Sequence, residues 1–234
     1  MQNVRVFKVG GAVRDQFLNR PNKDVDFAVE AESYDVMRNY ILENGGKIYL
    51  ETPEFLTIRG RMPDLGDADF VLCRKDGKYS DGRRPDNVVA GTIMDDLSRR
   101  DFAMNAIAQD VESGEILDPF GGRADILMRR IRAVGSAKER INEDPLRLLR
   151  AMRFVITLGF SLHPDITDLL MDEKMSKKMV KTISQDRIRE ELERMFKANT
   201  LKTLQMMECF PIMRDMVFGG DLWIKVTNEK RKKK

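Results

Sequence analysis

One histidine, two cysteines and one tryptophan are all that these 234 residues hold of those three types. With His163 alone and Cys73 and Cys209 as the only thiols, a Cys/His metal centre lacks ligands and a disulfide framework lacks partners. Such cysteine usage fits a reducing, cytoplasmic compartment. No apolar run approaches the ~18 residues of a membrane span. No basic stretch followed by an apolar one and a cleavage site opens the chain, so a secretory signal is not expected. No sustained heptad appears, which excludes a coiled coil, and no internal repeat is seen. What is present is 42% hydrophobic and 34% charged sequence, enough for one or two domains with a buried core. The net charge of +3 is unevenly placed: residues 225–234 carry six basic side chains and one acidic, leaving the rest at −2. Nucleic-acid binding would therefore rest on local basic patches or on that tail, which reads either as a solvated end or as a phosphate contact.

Strand-like and helical signals alternate through the first third. VRVFKVG reads as a strand, AVRDQFL as a helix and KDVDFAVE as a strand; ESYDVMRNYILENGG reads as a helix closed by Gly45 and Gly46. KIYLE, TIRGR and ADFVLCR read as short strands, and RKDGKYSDGRRPDN as a polar, mobile loop. From Thr92 helical patterning takes over, interrupted by a strand and turn at ILDPFGGRADI. Beyond about Lys138 only helices are expected, broken at His163–Pro164 and Phe210–Pro211. The fold class is α+β, a small mixed sheet with helices followed by an all-helical segment.

Asp24 and Asp26 stand two apart in an expected strand, so both side chains leave one face. Upstream, Gly10 and Gly11 end a strand and open a helix, where bare backbone N–H groups suit phosphate. Strand, glycine turn, helix and a DxD strand together suit a metal-bound triphosphate, with two Mg²⁺ ions roughly 3.5–4 Å apart. Hard cations take oxygen ligands, and Asp69, early in ADFVLCR, is the candidate third carboxylate.

VGGAVRD, KDVDF, DDLSRRDFAMNAIAQD, LDPFGG and EDPLRLLRAMRF, in that order, resemble the motifs of class II tRNA nucleotidyltransferases, which comprise CCA-adding enzymes and related bacterial poly(A) polymerases. The resemblance covers about residues 4–215. It implies a DNA-polymerase-beta-like nucleotidyltransferase head over 1–138, a helical neck over 139–215 that selects the base, and a C-terminal segment over 216–234. By the same resemblance Asp24 and Asp26 are metal ligands and Gly11 and Arg14 contact the nucleotide. Arg100, within Arg99–Arg100–Asp101, also faces it, and Asp101 belongs to the same nucleotide site. ISQDRIREEL resembles the last neck motif. The basic loop around Arg83 and Arg84 corresponds to one that helps such pockets switch from C to A addition.

The segment 143–158 has its own pattern. At ~100° per residue, Pro145, Leu148, Leu149, Met152, Val155 and Ile156 form one arc. Asp144, Arg147, Arg150 and Arg153 lie opposite, joined by Leu146 and Phe154. That face reads either as a solvated, salt-bridged surface or as a base reader. Cytosine and adenine both present an amino donor beside a ring-nitrogen acceptor; a carboxylate accepts from the first while a guanidinium donates to the second. The resemblance implies the base reader, with Asp144 and Arg147 selecting CTP and ATP and Arg150 and Arg153 completing the pocket. Asn105 reads either as a ribose contact or as a turn-stabilising residue, His163 as a turn residue, the methionines as core fillers, and Trp223 as packing the last segment.

These readings predict a Mg²⁺-dependent enzyme that adds C, C and A to the tRNA 3′ end from CTP and ATP. Poly(A) addition, CC-only or A-only addition, or half of a split RNA-binding assembly are the alternatives. Relatives with body and tail domains extend past the neck, so the expectation is that the basic tail, a partner subunit or a homodimer supplies the missing grip on tRNA.

Overall fold

The computed structural model describes residues 4–22, 25–77 and 88–219. Asp24, the loop residues Lys78, Arg83 and Arg84, Trp223 and the basic tail lie outside the described residues. The head begins with β1 (Arg5–Val9), α1 (Gly11–Phe17), β2 (Asp26–Glu30) and α2 (Tyr34–Glu43). It continues with β3 (Lys47–Thr52), β4 (Thr57–Met62), β5 (Gly66–Leu72), β6 (Arg74–Asp76), β7 (Val88–Ala90) and α3 (Ile93–Ser98). β8 (Ala108–Asp110), β9 (Ile116–Leu117), α4 (Gly122–Leu127) and β10 (Arg130–Ile131) follow. Then come α5 (Ala137–Glu143), α6 (Arg147–Leu158), β11 (Ser161–Leu162), α7 (Pro164–Met171) and α8 (Glu173–Thr182). α9 (Gln185–Ala198), α10 (Thr200–Cys209) and α11 (Pro211–Phe218) complete the described chain.

Local chemistry explains most of these boundaries. Ser33 caps α2 by accepting from the Val36 N–H, and Gly45, at φ +75°, closes the helix. The N–H groups of Gly45 and Gly46 then return to the carbonyls of Leu42 and Ile41, the paired bonds of a Schellman end. A capping box between Thr92 and Asp95 starts α3, and Gly159 in the left-handed region ends α6. His163 caps α7, its Nδ1 accepting from the Asp165 N–H at 3.3 Å, so the single histidine serves the turn.

Seven strands form one mixed sheet in the order β3-β4-β5-β2-β1-β8-β9, with only β2 and β5 parallel. One face packs under α2, where Phe27 and Phe70 stack at 5.4 Å between centroids. The other holds Phe7, Val9 and Ala28 against Ile93 and Leu97 of α3. The largest cluster runs without interruption from Val13, Phe102 and Met104 into Leu148, Leu149 and Met152 of α6 and on to Leu192 and Met213. The buried Met175, Met179, Met195 and Met207 fill this helical core.

Several expectations need correction, the first being ILDPFGGRADI, expected as a strand and turn, which also contains α4. The sequence NAIAQD, read as helical, contains β8, because pairing with both β1 and β9 outweighs its alanine-rich helix propensity. The polar stretch read wholly as loop begins with β6, which pairs antiparallel with β7. The helical segment also contains β11, which pairs parallel with β10 and ties the neck to the end of the head. Helix α6 starts at Arg147, after a break at 144–146, so Asp144 and Pro145 precede it.

Candidate functional site

The register of β1 and β2 pairs Val9 with Asp26, so the turn at Gly10 and Gly11 stands beside the start of β2. Gly10 has φ +70° and ψ −134°, and a Cβ there would come within 3.0 Å of Arg100 Nη1, so glycine fits where larger residues are strained and crowded. Gly10, Gly11 and Asp26 form the head side of an open cleft of about 710 Å³. Arg14, Arg100, Asp101 and Asn105 form its floor, and Asp144, Arg147, Arg150 and Arg153 its neck side. One cleft therefore gathers the whole candidate set apart from Asp69 and the undescribed Asp24. Asp69 stands opposite Asp26 in the parallel β2–β5 register, which puts both side chains on one sheet face. Asp69 lies one strand beyond the cleft lining, with Arg59 Nε at 3.8 Å.

A buried polar network ties the two sides. Arg14 Nη1 donates to Asn105 Oδ1 at 2.8 Å, and Asn105 Nδ2 donates to Asp101 Oδ1 at 3.1 Å. Arg150 donates through Nε and Nη2 to Asp101 Oδ2 at 2.9 and 2.6 Å. The Asn105 side chain thus links Arg14 to Asp101, a structural use of the residue that its sequence position left open. Burial alone would raise the Asp101 carboxyl, but the Arg150 charge and the hydrogen bonds from Asn105 and Arg150 outweigh it and hold it at about 2. Asp101 keeps Arg150 charged in return, pushing the guanidinium above its ordinary value. Asp96, 1% exposed, holds Arg100 through Nη2 at 2.8 Å and Arg99 beside it. The ring of Phe154 stacks edge-on against Phe102 at 5.8 Å and lies under Arg14 and Arg153.

The neck arginines are held as firmly. Arg147 donates to the carbonyls of Arg140 at 2.8 Å and Arg99 at 2.9 Å, and to Glu143 at 3.1 Å. Asp144 Oδ2 accepts from Arg187 Nη2 at 2.8 Å. Glu191, 3% exposed, sits between Arg153 at 2.5 Å, Arg194 at 3.5 Å and Arg150 at 3.6 Å. Arg99, Arg187, Arg194, Asn22 and Phe154 line the cleft without having been chosen from the sequence. Arg187, Glu191 and Arg194 follow an i, i+4, i+7 spacing that puts them on one face of α9, a signal the sequence does contain.

The donor set suits a hard cation at the head side, since Asp26 and Asp69 supply only carboxylate oxygen. Eight arginines around two carboxylates, Asp101 and Asp144, make the rest of the cleft a receptor for a polyanion.

Among solved structures, the fold is similar to a CCA-adding enzyme in apo form II, with a TM-score of 0.79 and 28% identity over 93% of this chain and 51% of that one. It is also similar to the Bacillus stearothermophilus CCA-adding enzyme in complex with CTP, at TM-score 0.71 and 34% identity over 88% of this chain and 48% of that one. Fold and cleft together define a polymerase-beta-like nucleotidyltransferase head followed by a mainly helical neck. The Poly A polymerase head domain family matches residues 6–132, and this chain belongs to that family. It is 42% identical to the CCA-adding enzyme of Geobacillus stearothermophilus over 191 residues, which are 80% of this chain and 44% of the relative. Against the CCA-adding enzyme of Leuconostoc citreum it is 39% identical over 189 residues, again 80% of this chain and 44% of the relative. The chain thus spans about half the length of the relatives it matches.

Proposed function

We propose that the chain transfers nucleotides without a template, adding C, C and A to the 3′ end of tRNA from CTP and ATP with release of pyrophosphate, in the cytoplasm. The supporting observation is the single cleft in which the glycine turn and Asp26 of the head face Asp144 and the arginines of the neck. Similarity to a CTP-bound enzyme and to the Thermotoga maritima CCA-adding enzyme complexed with tRNA supports both substrates.

Gly10 and Gly11 leave room for the triphosphate, and Arg14 and Arg100 offset its charge. Asp144, oriented by Arg187, accepts from the amino group of cytosine or adenine, while Arg147, pinned by two carbonyls, donates to the ring nitrogen. Uracil and guanine would set a carbonyl against Asp144 and be rejected. Asp24, Asp26 and Asp69 would hold two Mg²⁺ ions, which when bound supply the Lewis acidity that activates the primer 3′-OH and steadies the leaving pyrophosphate.

The product profile tests the reaction. A tRNA lacking its CCA should gain two C with CTP alone and the full CCA with CTP and ATP together, read on a sequencing gel. Long A tails from ATP alone would replace this reading with poly(A) addition, which the family's name also accommodates. Base choice has its own test. Asp144→Ala should reduce discrimination of CTP over UTP by about 10- to 100-fold, the worth of one bidentate base contact of ~1–3 kcal/mol. An unchanged CTP/UTP incorporation ratio would refute the role of Asp144.

A further inference from the structure

We propose that the outward face of α8 is a docking track for the phosphate backbone of RNA whose 3′ end lies in the cleft; this rests on the reaction proposed above. Lys174, Lys177, Lys178 and Lys181 follow i, i+3, i+4, i+7 spacing, so at ~100° per residue they occupy one arc about 100° wide. Met175, Ser176 and Met179, the buried residues of α8, lie on the opposite side. The stripe is therefore turned outward by the packing that fixes the helix. Lys174, Lys177 and Lys181 are exposed, and Lys178 is half-buried.

The stripe is anchored to the end of α5, and Asp144, which follows that helix, lines the cleft. Lys178 Nζ donates to the backbone carbonyl of Asn142 at 2.9 Å and to its Oδ1 at 3.0 Å, two residues before Asp144. Beyond its C-terminal end the chain turns into α9, which brings Arg187 and Arg194 into the cleft. Positive charge thus runs from the cleft along α8 over about 10 Å, given ~1.5 Å of rise per residue. That length matches about three phosphates of one strand at ~3.4 Å each.

The carboxylates nearby leave most of this charge available. Glu173 pairs with Lys177 at 2.5 Å, while the side chain of Asp172 accepts from the Lys174 backbone N–H. Outside the last ten residues the chain carries a net −2, so four lysines within eight residues are a local concentration rather than part of a general basic surface. Lysine presents a point charge without the planar fork of arginine, which suits sequence-independent phosphate contact.

The test is the salt dependence of binding to fluorescein-labelled tRNA lacking its CCA, followed by anisotropy between about 50 and 300 mM KCl. With ~0.9 counterions released per duplex phosphate neutralised, the Lys174→Gln, Lys178→Gln, Lys181→Gln triple variant should lower the slope of log K against log salt by about 2 to 3. Its affinity near 0.1 M salt should fall at least about tenfold. The corresponding triple Lys→Arg variant keeps the charge and should keep the wild-type slope. An unchanged slope in the Gln variant, or an equal loss in the Arg variant, overturns the proposal. Nucleotide transfer with an unchanged slope would refute the track alone. The expected slope change without any nucleotide transfer would refute the reaction and leave the track standing.

Discussion

Replacing Asp26 by Asn should reduce nucleotide transfer to tRNA by about a thousandfold or more while leaving tRNA affinity within a fewfold of the parent. The substitution keeps the size of the side chain and exchanges one carboxylate oxygen for an uncharged amide NH2, which cannot ligate a cation. Asp26 is exposed at the first position of β2, lines the cleft, and is in register with Val9 on one side and Asp69 on the other. It thus stands next to the glycine turn that would receive the triphosphate. A loss of that size corresponds to ~4 kcal/mol of transition-state stabilisation, within the several kcal/mol expected of ion-held phosphoryl chemistry. Single-turnover rates with saturating CTP and primer tRNA measure it. Activity within tenfold of the parent would remove Asp26 from the reaction.

The second large effect concerns stability. Asp101→Ala removes the buried carboxylate that accepts from Arg150 and Asn105 and leaves Glu191, at 3.6 Å, as the nearest counterion of the Arg150 guanidinium. Breaking a buried pair by deleting one partner costs ~3–5 kcal/mol. The Arg150 side chain keeps 32% exposure, so water recovers part of that and about 3 kcal/mol remains. For a chain of this length the melting temperature should fall by roughly 6–12 °C. The pH dependence separates the charge from the packing. The folded carboxyl titrates at about 2, below the ~3.9 of an unfolded aspartate. Its contribution is therefore complete above about pH 4 and is lost as pH falls from there through 2. A shift of that size carries about 2 to 3 kcal/mol. Denaturant unfolding at pH 7, 4 and 2.5 should show the difference between parent and variant shrinking by roughly two thirds of that amount. Parallel acid limbs in the two proteins would show that Asp101 is not held ionised.

The elements legible in the sequence are those whose signals are local. Strands β1 and β2 are short apolar runs and β5 alternates, α2 carries its own cap and terminating glycines, and Pro164 and Pro211 open α7 and α11. β8 is not legible because Ala-Gln-Asp, following Ala-Ile, reads equally well in a helix, and only its neighbours β1 and β9 decide the matter. The same division runs through the cleft. Gly10, Gly11 and Asp26 stand in short motifs whose chemistry can be read from spacing, while the roles of Arg14, Asp144 and Arg147 are what the family resemblance implies. Arg194 and Asn22 belong to no such spacing with the glycine turn, and reach the cleft because α6 packs on α9 and α1 leads into β2.

The amino-acid order alone settles the kinds of group available, which are oxygen ligands, glycine-bared backbone and arginines at helical spacing, because these depend on residues a few positions apart. Tertiary packing decides which of them touch. Asp101 lines the cleft, and its oxygens accept from Arg150, Asn105 and its own chain, so it also holds an arginine in place. Arg150 and Arg153 were read as one charged face, yet they close on Glu191, a residue thirty-eight positions beyond Arg153. A buried charge must find its counterion wherever the fold brings one, and sequence distance does not limit that choice.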